Sequence, residues 1–239
     1  GEEEAEAKPD EDPKQEPDWL HTNGIAYLPE QDLIVLSTPH ICELWVIDHS
    51  TSTEEAAGDS GGRFGQGGDL LYRWGNPRTY GAGQDADRWL DYQHDPTWVM
   101  GSSPDELRLL VFNNGMRRES EDSRAEVLLL PFVPGRGFLR EADGPYGPKT
   151  PEWSYADPKN FYSPFISGAQ RLWSGNTLIC AGAPGRVFEV TPAGEIVWDY
   201  WNPHGGEIEP SAQGGRAPPH ALFRAKRIPL DHAGIGRHL

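Results

Sequence analysis

The stretch that most constrains this chain runs over residues 161–203, FYSPFISGAQRLWSGNTLICAGAPGRVFEVTPAGEIVWDYWNP. It divides into four short apolar or β-branched runs: Ile166 to Arg171, Thr177 to Ala181, Arg186 to Val190 and Glu195 to Trp201. Between them lie Ser174-Gly175-Asn176, Ala183-Pro184-Gly185 and Pro192-Ala193-Gly194, turn chemistry too short for anything but antiparallel neighbours. A four-stranded meander of this size is the unit of a β-propeller blade. One such sheet is marginal alone, because both apolar faces need a neighbour.

The pattern recurs. The last run, IVWDYWNP (Ile196–Pro203), has counterparts in LLYRWGNP (Leu70–Pro77) and PEWSYADP (Pro151–Pro158), each an aromatic run closed by Asn-Pro or Asp-Pro. A residue before proline is driven out of the helical region, which suits the exit from one sheet to the next. The middle runs match as well: DLIVLS with ELWVID, RLLVFNNG with AEVLLL, NTLICAG with RVFEVT. The end markers are 81 residues apart (Pro77 to Pro158) and then 45 (Pro158 to Pro203), so the repeat is stretched by insertions. The competing reading is an ordinary meandering β-sheet or sandwich.

The expectation is an all-β chain, a β-propeller of four-stranded antiparallel blades. The blade units are residues 18–77, 92–158 and 161–203, and a further strand is expected near 220–228. A closed propeller usually has at least four blades, so the chain reads as the C-terminal half of a larger one, its missing blades supplied by the rest of a longer chain, or as a propeller completed by another chain.

Composition agrees with a turn-rich, aromatic-rich β protein: 239 residues with 28 Gly, 22 Pro and 9 Trp. The net charge of −16 argues against nucleic acid and against an anionic membrane surface as partners. Residues 1–18 hold nine acids and two lysines, so −7 of that −16 is local. With almost nothing apolar, residues 1–17 read as an acidic disordered segment or linker, and 18–239 as the propeller. No signal peptide or membrane-spanning run is visible, and no membrane insertion is expected. Cys42 and Cys180 both sit in strand-like runs. They are either two small buried side chains or one disulfide, since sequence gives no distance between them.

Taken in order, Gly24 to Leu28, Leu33 to Ser37 and Glu43 to Asp48 read as strands. Thr51 to Gly68 reads as an exposed loop, whose Gly61-Gly62-Arg63-Phe64-Gly65 run lacks the Lys-Ser/Thr and following helix of a phosphate loop. Tyr92 to Gly101, Leu107 to Asn113 and Glu126 to Phe132 supply the second unit, with loops at 113–124 and 134–151.

Inner strands of a propeller line its channel, so polar residues at equivalent repeat positions converge there. Those positions hold His21-Thr22-Asn23, Gln93-His94-Asp95, Gln170-Arg171 and, in the final segment, His220. Imidazoles facing one cavity serve as acid, base or nucleophile. Arg117 or Arg118, after the Asn113-Asn114-Gly115 turn, and Arg171 are candidate clamps for an anionic oxygen group. The plain alternative has each histidine bonding a neighbouring carbonyl and Arg171 pairing with a carboxylate between blades. His40, His49, His204, His232 and His238 fall in turns or the tail and are expected to face solvent. Neither HExxH nor paired CxxC occurs, so no metal site is expected, and no Ser lies in a GxSxG context.

Several of these motifs together, DWLHTN with DLIVLS, QHD with LLVFNNGMRR, and SGAQRLWSGNTLIC with RVFEVTPAGEIVWDY, resemble the arylsulfotransferase (arylsulfate sulfotransferase-like) propeller family from Asp18 to about Pro229. The resemblance implies a six-bladed propeller, of which this chain would be the C-terminal half. It implies transfer of a sulfuryl group from a phenolic sulfate ester to a phenol through a sulfated histidine, without a cofactor, in a periplasmic or secreted setting. His21 and His94 match two channel histidines, and Arg117 or Arg118 the sulfate-binding arginine. Asn23, Gln170 and Arg171 complete the expected substrate contacts. The stretch Tyr162 to Arg171 holds no histidine where the family's nucleophile is expected, which leaves His220 as the substitute. The ligand expected is a small aryl sulfate. The rival reading is a catalytically inactive propeller acting as a binding or scaffold module, favoured if His220 points away from His21 and His94. A quinoprotein-like propeller, suggested by the Trp near each blade end, lacks any cofactor-specific constellation.

Overall fold

The computed structural model describes residues 18–99, 103, 105–206, 218–230, 232 and 234–235. The acidic segment 1–17 and His238 lie outside them. Three four-stranded antiparallel sheets follow one another along the chain. The first holds β1 (Gly24–Leu28), β2 (Leu33–Thr38), β3 (Glu43–Asp48) and β4 (Tyr72–Trp74) in that order. The second holds β5 (His94–Val99), β6 (Arg108–Asn113) and β7 (Arg124–Leu129). A small hairpin, β8 (Phe132–Val133) and β9 (Gly137–Phe138), intervenes before the outer strand β10 (Trp153–Ala156). The third holds β11 (Gly168–Arg171), β12 (Thr177–Ala181), β13 (Arg186–Val190) and β14 (Ile196–Trp201).

The inner strands stand side by side, β1 against β5 and β5 against β11, so the sheets are successive propeller blades around one axis. The middle blade shows why the sequence demands this stacking. Along β6, Leu109 and Val111 join the core shared with Leu33, Val35, Leu44 and Val46 of the first blade. Their neighbours Leu110 and Phe112 face the other way, into the core shared with Ile179, Phe188 and Val190 of the third. Strand side chains alternate faces, so a run apolar at every position is satisfied only with a sheet on each side. All four β6 residues are fully buried, a gain of about 1.5–3 kcal/mol each. The outer face of the first blade has no such neighbour among the described residues, and Ile25 and Tyr27 stay exposed. On the third blade Leu178, Cys180 and Val187 are buried under Leu222 and Ala225 of the final segment, while Trp198 and Tyr200 on the outermost strand stay exposed.

Two insertions carry more structure than the sequence reading gave them, and the final segment carries less. The 51–68 loop includes one turn of helix, α1 (Thr53–Ala56), closed by a Ser52–Glu55 capping box. The 134–151 loop begins in the β8–β9 hairpin, where Phe132 and Phe138 extend the first interblade core. The segment expected as a further strand, 220–228, is in no strand ladder. It lies beside β11, with Ser167 N–H donating to the Phe223 carbonyl (2.9 Å) and Arg227 clasped by Gln170, and no second strand among the described residues pairs with it. Cys42 and Cys180 are both buried free thiols, the first of the two alternatives.

Candidate functional site

An antiparallel meander returns the chain to the same rim every second strand. The start of each inner strand therefore shares one end of the propeller with the loop joining the second and third strands of its blade. At that end lie His21 and Asn23 with the turn Pro39–Ile41, His94 with the loop 114–123, and Ser167 with Gly182.

In the first blade, His21 sits just before β1 with φ +51°, a left-handed conformation rare for a side chain with a Cβ. Its Nδ1 bonds the Asp18 carboxylate, and this bond holds the Asp18 carboxyl below its ordinary pKa. The imidazole stacks on that of His40, with ring centroids 4.8 Å apart and planes 14° from parallel. His40 lies in turn against the edge of Tyr92 (5.9 Å), and the guanidinium of Arg117 covers the Tyr92 ring at 4.6 Å. Arg117 is set by Asp91, which accepts from its Nε (2.8 Å) and its backbone N–H (2.6 Å). A third contact runs from Arg117 to the Cys42 sulfur at 2.9 Å. The loop can turn this tightly because Gly115 has φ +70°, and a Cβ there would meet the Asp122 carbonyl at 2.1 Å.

His94 opens β5. Its Nδ1 lies 2.8 Å from Asn114 Oδ1 and 3.0 Å from the Tyr92 carbonyl. A carbonyl only accepts, so Nδ1 carries the proton and Nε2 of the neutral ring carries the lone pair. The Asn114 amide cannot be turned round, because its Nδ2 donates to the carbonyls of Ser163 (2.8 Å) and Ile166 (3.0 Å). Burial pushes the His94 pKa below its ordinary value, against the Asn114 and Tyr92 bonds, and His21 is close enough for its charge to add to the lowering. His94 is therefore a neutral, oriented imidazole at neutral pH.

The other expected site residues are dispersed. Asn23 donates to the Gln93 carbonyl (2.9 Å), tying the first blade to the second at the rim, and its buried Oδ1 has no partner among the described residues. Arg118 turns into its own loop, toward the carbonyls of Asp122 (3.0 Å) and Trp89 (3.3 Å). Gln170 clasps the Arg227 backbone, accepting at 2.7 Å and donating at 3.2 Å. Arg171, at the far end of β11, donates to the Gly175 carbonyl (2.8 Å) and covers the Trp153 ring at 4.6 Å. His220 is exposed against Gly205, its backbone carbonyl held by Asn202 Nδ2 (3.0 Å), and no contact among the described residues joins it to His21 or His94. Asp95, buried beside His94, pairs with Lys226 (2.7 Å) and Arg224 (3.1 Å) and so anchors the final segment across the inner strands.

Sequence reasoning brought out His21, His94 and Arg117 and missed Asp18, His40, Tyr92, Asp91 and Asn114. His40 is exposed as expected, yet its ring is part of the cluster. The available signal was topological: a loop between second and third strands returns to the rim where the first strand begins.

Fold and rim together define a β-propeller with an imidazole- and arginine-bearing mouth. The sequence profile described as Arylsulfotransferase (ASST) matches residues 2–213, and the chain belongs to that family. No curated protein matches it at a significant level. Among solved structures it is similar to a protein of unknown function from Bacteroides caccae, with 11% identity and TM-score 0.38, covering 75% of this chain and 45% of that one. The WD40 domain of Toxoplasma gondii coronin overlays with 10% identity and TM-score 0.38, covering 76% of this chain and 35% of that one. Virginiamycin B lyase from Staphylococcus aureus overlays with 11% identity and TM-score 0.35, covering 79% and 57%. The chain thus spans well under two thirds of each of these structures, and overlays this loose carry no functional argument.

Proposed function

We propose that this chain supplies the substrate-binding rim of an arylsulfotransferase-like propeller, in which His94 takes a sulfuryl group from an aryl sulfate and passes it to a phenol. The observation that carries the reading is the His94 tautomer. Nδ1–H is held by two acceptors, the ring is kept neutral by burial, and Nε2 is left with its lone pair. In the first step Nε2 attacks sulfur, an N–S bond forms, the S–O(aryl) bond breaks and phenolate leaves. In the second the acceptor oxygen attacks sulfur, the N–S bond breaks and His94 is restored. The acceptor's proton goes to Nε2 of His21, whose Nδ1 is engaged by the Asp18 carboxylate. Arg117, steered by Asp91 and Tyr92 to the same rim, supplies positive charge for the sulfuryl oxygens. His220 stands apart from this group, which counts toward the inactive-propeller reading as far as His220 is concerned; in the active reading the nucleophile is His94 on β5 instead. The exposed Ile25 and Tyr27 on the outer face of the first blade, and Trp198 and Tyr200 on the outermost strand of the third, support completion of the ring by further blades from a longer chain.

The test is sulfate transfer from 4-nitrophenyl sulfate to phenol by the longest natural form of the protein, with His94→Ala and His220→Ala beside it. Transfer abolished in His94→Ala alone, with an acid-labile sulfated peptide containing His94, is the expected result. A sulfated His220 peptide would overturn the assignment. No turnover by a folded protein would leave the rival reading, a propeller kept for binding.

A further inference from the structure

The end of the propeller opposite the histidine rim collects the turns between first and second strands and the two long insertions. There the β1–β2 turn, the 49–71 connection and the β8–β9 hairpin border a cavity of about 220 Å³, lined by Gln31, Arg63, Phe64, Phe132, Pro134 and Arg136. Its floor is fixed by the core. Phe132 is buried in the first interblade core, and Phe64 packs against it edge to face, with ring centroids 6.2 Å apart and planes at 70°. The backbone carrying Arg63 and Phe64 is pinned as well: the Arg63 N–H donates to Ser50 Oγ (2.7 Å) and the Phe64 N–H to the buried Asp48 carboxylate (3.0 Å). On the other wall the Arg136 N–H closes the hairpin turn onto the Val133 carbonyl (2.9 Å).

The charge in this cavity is uncompensated. Most arginines of this acidic chain pair with a carboxylate, as Arg73 does with Glu43, Arg108 with Glu152 and Arg186 with Asp199. The Arg63 guanidinium instead donates to the Glu30 carbonyl (3.4 Å). Neither Arg63 nor Arg136 forms an ion pair among the described residues, and no carboxylate lines the cavity.

We propose that Arg63 and Arg136 bind a small aromatic anion here, a single flat ring bearing a carboxylate or sulfonate head. Guanidiniums hold such heads by charge-assisted hydrogen bonds. Phe64, Phe132 and Pro134 offer the apolar surface against which the ring sheds water, and the Gln31 amide adds a polar contact. The volume lies below the roughly 300–1,000 Å³ of drug-sized pockets, which limits the ligand to about one ring. The cavity and His94 lie at opposite ends of the blades, so nothing in this depends on sulfuryl transfer.

The test is titration of the protein with benzoate, followed through the arginine Nε–H signals in nitrogen-edited NMR spectra. The Arg63 and Arg136 signals, identified by their loss in Arg63→Ala and Arg136→Ala, should move saturably with benzoate and with benzenesulfonate. Benzamide, a ring without charge, and acetate, a head without a ring, should move them far less. Each substitution should weaken benzoate binding about two- to fivefold, as for exposed charge pairs, and the double variant should lose it. Both arginines are exposed, so neither substitution threatens the fold. Arg78→Ala, which removes an exposed arginine paired with Asp85, should leave binding unchanged. Shifts that do not saturate, benzamide or acetate matching benzoate, or undiminished binding in the double variant would each overturn the proposal.

Discussion

The substitution Asn114→Ala probes the element that sets the His94 tautomer. Asn114 is fully buried and its side chain makes three bonds: one accepted from His94 Nδ1 and two donated to Ser163 and Ile166. Truncation loses all three at about 1 kcal/mol each. The Ser163 carbonyl keeps a bond from the Ser123 hydroxyl (3.3 Å), and His94 keeps the Tyr92 carbonyl. The Ile166 carbonyl loses its amide donor, which adds roughly 1–3 kcal/mol if the collapsed site stays dry. The expected loss is therefore about 4–6 kcal/mol. For a domain of this size it appears as a fall in Tm of about 8–24 °C. Urea unfolding followed by tryptophan fluorescence gives the value, and a double-mutant cycle with His94→Ala should return a coupling of about 1 kcal/mol. A loss under about 1 kcal/mol, or strict additivity with His94→Ala, would show that Asn114 does not hold the ring and would remove the basis for the Nε2 lone pair.

Three further outcomes follow from the same geometry. Burial holds the folded-state pKa of His94 below the ordinary histidine value of about 6.5, so the unfolded chain binds a proton first as pH falls. The His94 contribution is complete above pH 6.5 and is lost as pH drops below it. Unfolding midpoints between pH 5 and 8 should therefore fall less steeply on the acid side in His94→Gln, and an unchanged slope would contradict the burial argument. Glu43 is fully buried, accepts from Arg73 Nε and Nη2 at 2.8 Å each and is contacted by Trp45 and Thr79. Glu43→Ala should cost about 3–5 kcal/mol in denaturant unfolding, and a loss under 1 kcal/mol would show the pair to be dispensable. A Cβ on Gly168 would stand 2.3 Å from Asp95 Oδ2. Gly168→Ala should cost about 1–3 kcal/mol and speed proteolysis within 218–230 by disturbing the Lys226 and Arg224 anchors; an unchanged cleavage pattern would count against that role for Asp95.

The blades were legible because a strand advertises its surroundings residue by residue. Gly24 to Leu28, Glu43 to Asp48, Thr177 to Ala181 and Arg186 to Val190 are strands with the bounds read from their turns. The β8–β9 hairpin was not legible, since a two-residue strand has no periodicity to detect. The capped turn at Thr53–Ala56 rests on one local capping box rather than an apolar stripe, and was missed for the same reason.

The site divides along a similar line. Sequence by itself determined the repeat, the four-stranded unit and the placing of His21 and His94 at equivalent strand starts, because these follow from local pattern and short-range turn chemistry. Only the tertiary structure decided that His40 stacks on His21, that Arg117 faces Tyr92 while Arg118 turns into its own loop, and that Asn114 orients His94. It also set Gln170 and Arg171 to work holding backbone carbonyls. Neighbouring arginines of identical chemistry are separated by the path of one loop around Gly115. The His94 tautomer is fixed by Asn114 in the same blade, whose amide is in turn held by the Ser163 and Ile166 carbonyls from the segment that leads into the third. Those contacts join residues from 20 to 52 apart in the chain, and no local propensity encodes them.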